Sequence, residues 1–172
     1  MIRCIFWGLF AATMAIYVTM ITWTLPTIQA AAGGLPAFDM RPGGYDFAAA
    51  QTFLTALSQD GRDLYLGAQH RLDLIYPGLL ALTLILGLRL VWAPRLATQF
   101  SIAACVAAVA DYTENMLVGR MLRQTVDAVT PDMVASANWA TLVKSAGDTI
   151  AMTALLIGGL LALYRRFRPA KS

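Results

Sequence analysis

Along the chain, four long apolar stretches are separated by short polar ones. The runs lie at about residues 5–25, 72–92, 96–118 and 139–164. Each is close to the ~20 residues a helix needs to cross a bilayer. In hydrocarbon every backbone N–H and C=O must find its partner internally, so such runs predict helices. The pattern therefore predicts an all-α fold over residues 1–172, a single membrane domain built as a four-transmembrane-helix bundle. Arg3 before the first run and Ala30-x-Ala32 after it resemble a signal peptide. A signal h-region is only about 7–15 residues long, however, so a retained first helix is expected.

The least apolar part of the chain is the loop at about residues 27–71. Gly33-Gly34, Pro36 and Pro42-Gly43-Gly44 are turn chemistry. From Asp46, a plausible N-cap, a short amphipathic helix is expected. It places Phe47, Ala50, Phe53, Leu54 and Leu57 on one face, suited to lying at the interface or closing over the bundle. Ser58 to Gly61 should end it, and the next helix should start near Arg62. The apolar run of the first span stops at Pro26. Pro77 inside the second span predicts a kink, and Pro94-Arg95 marks a tight turn between spans two and three.

Composition agrees with a bilayer as solvent. The chain is 58% hydrophobic and 13% charged, against about 25% charged in soluble domains. Arg165, Arg166, Arg168 and Lys171 follow an apolar run directly, which reads as a topology anchor and not as a nucleic-acid patch. Arg89 and Arg95 flank the turn on the same side as Arg3. The positive-inside rule then puts both termini in the cytoplasm of a bacterial inner membrane, and the helical loop between spans one and two outside it. Trp23, Tyr76, Trp92, Trp139 and Tyr164 sit near span ends as an aromatic belt does. Cys4 and Cys105 form no C-x-x-C pair and predict neither a disulfide framework nor a zinc site.

Candidate chemistry lies in the polar residues that interrupt the spans. Asp111, Glu114 and Asn115 share one face of the third span, and Lys144 and Asp148 share one face of the fourth. Asp73 and Tyr76 stand near the entry of the second. The topology brings these residues to one depth, toward the outer ends of three helices. Charges inside a bilayer cost several kcal/mol each, so such convergence is informative. Four acids face a single lysine. The surplus can be answered by protonation, by Arg71 or Arg120 at the rim, by water, or by a bound cation. A packing role is the competing explanation, helped by Ala103, Ala104, Ala107, Ala108 and Ala110 in the third span. His70 is the only histidine and reads as interfacial. No metal site and no cofactor are expected, and no nucleophile motif, P-loop or dinucleotide fingerprint is present.

The pattern Gly44-Tyr45, Gly61-Arg62, Tyr65, Asp73, Tyr76-Pro77 and Asp111-Tyr112-x-Glu114-Asn115 resembles uncharacterised four-helix integral membrane proteins of bacteria. That resemblance implies the fold but no activity. In architecture alone the plan is also loosely similar to the sterol isomerase and sigma-2 receptor superfamily, and no residue role is carried over from it. The expected function is a polar, acid-rich pocket near the outer leaflet, lined by Asp73, Tyr76, Asp111, Glu114, Asn115, Lys144 and Asp148. It would bind a lipid-like or cationic ligand. If the protein is an enzyme, carboxylates beside Lys144 suggest proton transfer. The alternative is a non-catalytic subunit or assembly factor with a membrane-protein partner, its polar cluster being structural.

Overall fold

The computed structural model describes residues 1–167; Arg168 and Lys171 of the basic terminal cluster lie outside the described residues. Among the described residues there are five α-helices: α1 (Ile2–Ala31), α2 (Phe47–Ala56), α3 (Gln59–Val91), α4 (Pro94–Leu122) and α5 (Pro131–Phe167). No strand occurs among the described residues. All but α2 are long and apolar enough to cross a membrane, so the chain is an all-α bundle of a multi-pass membrane protein.

The helices overrun the apolar stretches that announce them. α3 begins at Gln59 and not at Arg62, because the Ser58 hydroxyl caps it by accepting from the Gly61 amide at 3.2 Å. α5 begins at Pro131, well before Trp139. Hydropathy sees only the hydrocarbon-deep part, while backbone hydrogen bonding carries a helix on into the interface. α1 likewise does not stop at Pro26. The turn before that proline widens into a π-turn over Met20–Thr24, in which the Leu25 amide reaches back to the Met20 carbonyl. A wider turn relieves the clash a proline ring makes with the preceding turn. A second π-turn, Tyr65–Gln69, interrupts α3. The two π-turns touch each other.

α3 is the hub and packs on α1, α4 and α5, while α4 packs along α5. Small side chains permit the close approach. Ala104, Ala107, Ala137, Ala151 and Ala154 are buried. At Gly147 a Cβ would lie 2.8 Å from the Ala103 carbonyl oxygen and 2.9 Å from the Ala107 Cβ. α1 packs along α3 and has at most sparse contact with α5, so a cleft runs between α1 and α5.

Residues 32–58 fold across the end of the bundle where α4 stops and α5 starts. Asp46 caps α2 by accepting from the Ala49 amide at 2.7 Å. The expected apolar face is buried at Ala50, Phe53, Leu54 and Leu57, with Phe47 at its edge. Phe38 and Phe53 are fully buried, with ring centroids 4.9 Å apart. Burying a Phe contributes roughly 1.5–3 kcal/mol. The Arg41 guanidinium lies 5.6–6.0 Å from the ring centroids of Phe38, Tyr45 and Phe53 and donates to the Pro36 carbonyl. Arg62 donates to the Leu122 carbonyl at the open end of α4. The loop is thus riveted to the bundle.

On the sides of the helices, Trp23, Trp139 and Tyr164 are exposed near helix ends, as residues of an aromatic belt would be. Cys4 and Cys105 are free and exposed on helix sides.

Candidate functional site

Pro77 sits inside α3 and has no N–H to give to the Asp73 carbonyl four residues earlier. The side chain of Asn115, on α4, donates to that carbonyl at 3.4 Å. One residue along, the Tyr112 hydroxyl donates to the Leu74 carbonyl at 3.2 Å. A Cβ at Gly78 would stand 2.9 Å from that hydroxyl, so glycine makes room for the approach. The Asp111-Tyr112-Thr113-Glu114-Asn115 segment therefore docks against the proline-broken turn of α3. Thr113 faces away, bonded to the Val109 carbonyl of its own helix, and Glu114 turns toward α5.

The same segment holds the lysine. Lys144 pairs with Glu114 and lies 3.4 Å from Asp111. Glu114 is wholly buried and also accepts from the Thr141 hydroxyl at 2.6 Å. Asn115 donates to Asp111 at 3.2 Å. Asp73 is held from its own helix by Gln69, whose amide donates to both carboxylate oxygens at 2.9 and 3.0 Å. Gln69 in turn accepts from the Thr24 hydroxyl, which ties the two π-turns together. Among the described residues the ion pairs are those of Lys144; Arg71 and Arg120 do not neutralise the acids.

These groups surround a cavity of about 190 Å³. Of the seven residues expected at the site, Asp73, Tyr76, Asp111, Lys144 and Asp148 line it. Glu114 and Asn115 stand behind that wall, touching Lys144 and Asp111. The remaining wall includes groups the sequence did not single out. Asp39 enters from the loop and accepts from the Tyr65 hydroxyl at 2.6 Å. Tyr17 and Met20 come from α1, and Gln69 from α3. Gln69 was readable in principle, being four residues ahead of Asp73 on one helix face. Asp39 was not, since it lies among turn residues that carry no periodicity.

With Asp39 added, five acids accompany Lys144. Four of them face the cavity, and Glu114 and Asp111 already share the lysine. Asp148 lines the wall without a hydrogen bond or ion pair to another described residue. Carboxyl groups that share a space of reduced dielectric are held protonated or matched by a cation. No group of three or more His, Cys, Asp and Glu among the described residues is arranged to hold a metal ion. His70 does not line the cavity and lies beside Gly119. The Tyr17 and Tyr76 rings, 6.2 Å apart and nearly parallel, stand at the edge of the space.

Above the ion pair, the buried Tyr45 hydroxyl approaches Thr141 but makes no hydrogen bond of normal geometry. Burial pushes this phenol well above the usual tyrosine range. Comparison with protein-family models, with curated proteins and with solved structures finds no match for this chain.

Proposed function

We propose that the protein binds a cationic or amphiphilic ligand in the acid-lined cavity, as a multi-pass protein of the bacterial inner membrane. The observation that supports this reading is the excess of acidic side chains over basic ones at the wall. Asp39, Asp73, Asp111 and Asp148 face one space, and the single lysine is already shared by Asp111 and Glu114. A positively charged head group supplies the missing counter-charge.

The arginines support an orientation for this reading. The end with the chain termini and the α3–α4 turn carries Arg3, Arg89, Arg95, Arg165 and Arg166 and no acid. By the positive-inside rule this supports a cytoplasmic position for that end, with the loop and the cavity toward the outer leaflet. A fluorescent-protein fusion at the C-terminus should be fluorescent, and alkaline phosphatase inserted between Gly33 and Gly34 should be active. The opposite pair of results reverses the topology.

Binding is tested by native mass spectrometry on the purified protein with sphingosine, a single-chain primary amine. One bound molecule is expected on the wild type, and none on Asp148→Asn. Equal occupancy of both proteins removes the cavity as the site.

A second reading, a structural subunit of a larger membrane complex, is favoured by the continuity of the polar network. It runs from Thr24 through Gln69 to Asp73, and from Asn115 through Asp111 to Lys144 and Glu114, so it touches all four long helices. A stoichiometric partner retained in mild detergent, with no amine binding, would establish it.

A further inference from the structure

Between α1 and α5, with α3 as its floor, the cleft continues away from the polar cavity toward the chain termini. It opens first into an apolar cavity of about 280 Å³ bounded by Phe10, Thr13, Leu80 and Met152. A second, of about 340 Å³, shares Leu155 and Leu156 with the first and reaches Gly159 and Leu163. The cleft ends beside Arg3 and Arg166. The polar cavity lies one helical turn beyond its other end, since Thr13, Leu80 and Met152 are each four residues from Tyr17, Tyr76 and Asp148. At about 1.5 Å per residue that step is roughly 6 Å, and the path from Asp148 to Leu163 is roughly 22 Å. The acid-lined space and the apolar spaces thus lie in line between the same helices, about one turn apart.

We infer that this apolar groove is the binding site for a single hydrocarbon chain carried by the ligand whose cationic head occupies the acid-lined cavity. The inference rests on the proposed ligand reading and specifies the ligand as a long-chain amine. Charge sets the direction. The ammonium meets Asp148 and Asp73 at one end, and the chain points toward Arg3 and Arg166, where a cation would be repelled. In this orientation an ordinary phospholipid fits poorly, because its phosphate would face the acids. The groove is held open by the packing. α1 is fastened to α3 by the Thr13–Thr83 hydroxyl pair at 3.0 Å rather than to α5. Gly159 faces open space, with no atom within 4 Å of where its Cβ would be. A Cβ at this position therefore enters the groove without meeting another atom.

The test compares butylamine, octylamine and hexadecylamine by the ligand-induced rise in unfolding midpoint of the amphipol-held protein. Gly159→Trp and the milder Gly159→Leu serve as groove-filling variants. For the wild type, apparent Kd should fall at least tenfold from butylamine to hexadecylamine. In both variants that gain should be lost, while butylamine affinity stays within twofold of wild type. A chain-length gain that persists in both variants is partition into the amphipol, and the groove inference is then overturned with the head-group reading intact. If butylamine and hexadecylamine both fail to stabilise the wild type, the ligand reading itself falls, and the groove falls with it.

Discussion

Asn115 donates its side-chain amide to the backbone carbonyl of Asp73, the acceptor that Pro77 leaves without a helical partner. The proline, the amide and the carboxylate are thus one device. The break in α3 is filled from α4, and the filling residue also steadies Asp111.

A double-mutant cycle reads this coupling. Asn115→Ala should destabilise the protein by about 0.6–2 kcal/mol, the range for hydrogen bonds between membrane helices. In a Pro77→Ala background, where residue 77 can bond to the Asp73 carbonyl itself, the same substitution should cost less. Equal costs in both backgrounds, measured by denaturant unfolding in mixed micelles, would mean that the two sites are independent.

Removing the lysine should be severe. Lys144→Met leaves Glu114 buried without its cation, and breaking a buried pair from one side costs about 3–5 kcal/mol. Adding Glu114→Gln should restore a substantial part of the loss, because the orphaned charge is gone. Thermal melts of the two variants decide it: no recovery in the double variant refutes the pairing.

Gly147 and Gly159 of α5 should behave oppositely. Gly147→Val drives side-chain atoms into the Ala103 carbonyl and Ala107. A loss of roughly 1–3 kcal/mol is expected from such overpacking. Gly159→Val meets open space and should leave the unfolding midpoint near wild type. Similar losses at both positions would contradict the described α4–α5 packing.

Arg62→Ala should loosen the loop without unfolding the bundle. Arg62 holds the Leu122 carbonyl, with longer contacts to Gln124 and Leu54. Hydrogen–deuterium exchange should accelerate across α2 and residues 32–46, while α4 and α5 between residues 100 and 160 stay protected. Unchanged exchange in α2 would show that apolar packing alone holds the loop.

Tyr45→Phe should be neutral or slightly stabilising at neutral pH, since it removes a buried hydroxyl that lacks a normal hydrogen bond. The raised phenol also gives a pH signature. The folded state keeps its proton above pH ~10, where an unfolded tyrosine releases it, so this contribution to stability is present below pH ~10 and declines above it. The variant's unfolding midpoint should therefore fall less steeply between pH 9.5 and 11. Parallel curves for wild type and variant would locate the loss elsewhere.

Much of the fold was legible because hydrocarbon imposes so few solutions. Four apolar runs, the Asp46 cap and the buried face of α2 can be read from composition and period alone. The convergence of Asp73, Asp111, Lys144 and Asp148 was legible for the same reason, once helix direction was assigned. Three features were not. Asp39 reaches the cavity through a turn whose path depends on Arg41 and on the Phe38–Phe53 contact. Glu114 and Asn115 share the helix face of Asp111, but face alone cannot say which of the three meets open space. The α1–α5 cleft depends on α1 leaning on α3, a choice between two apolar neighbours that hydropathy cannot make.

The π-turn at Tyr65–Gln69 has a consequence for the two ends of α3. The turn before it presents Arg62 to the end of α4, and the turn after it presents Asp73 to the cavity. A π-turn holds one residue more than the α-helical turn it replaces, and one residue is about 100° of rotation. The extra residue sets the phase between a fastening half and a binding half of a single helix. Deleting one residue there would leave both halves helical and both sets of side chains intact, yet no rotation of the helix could then serve both partners at once.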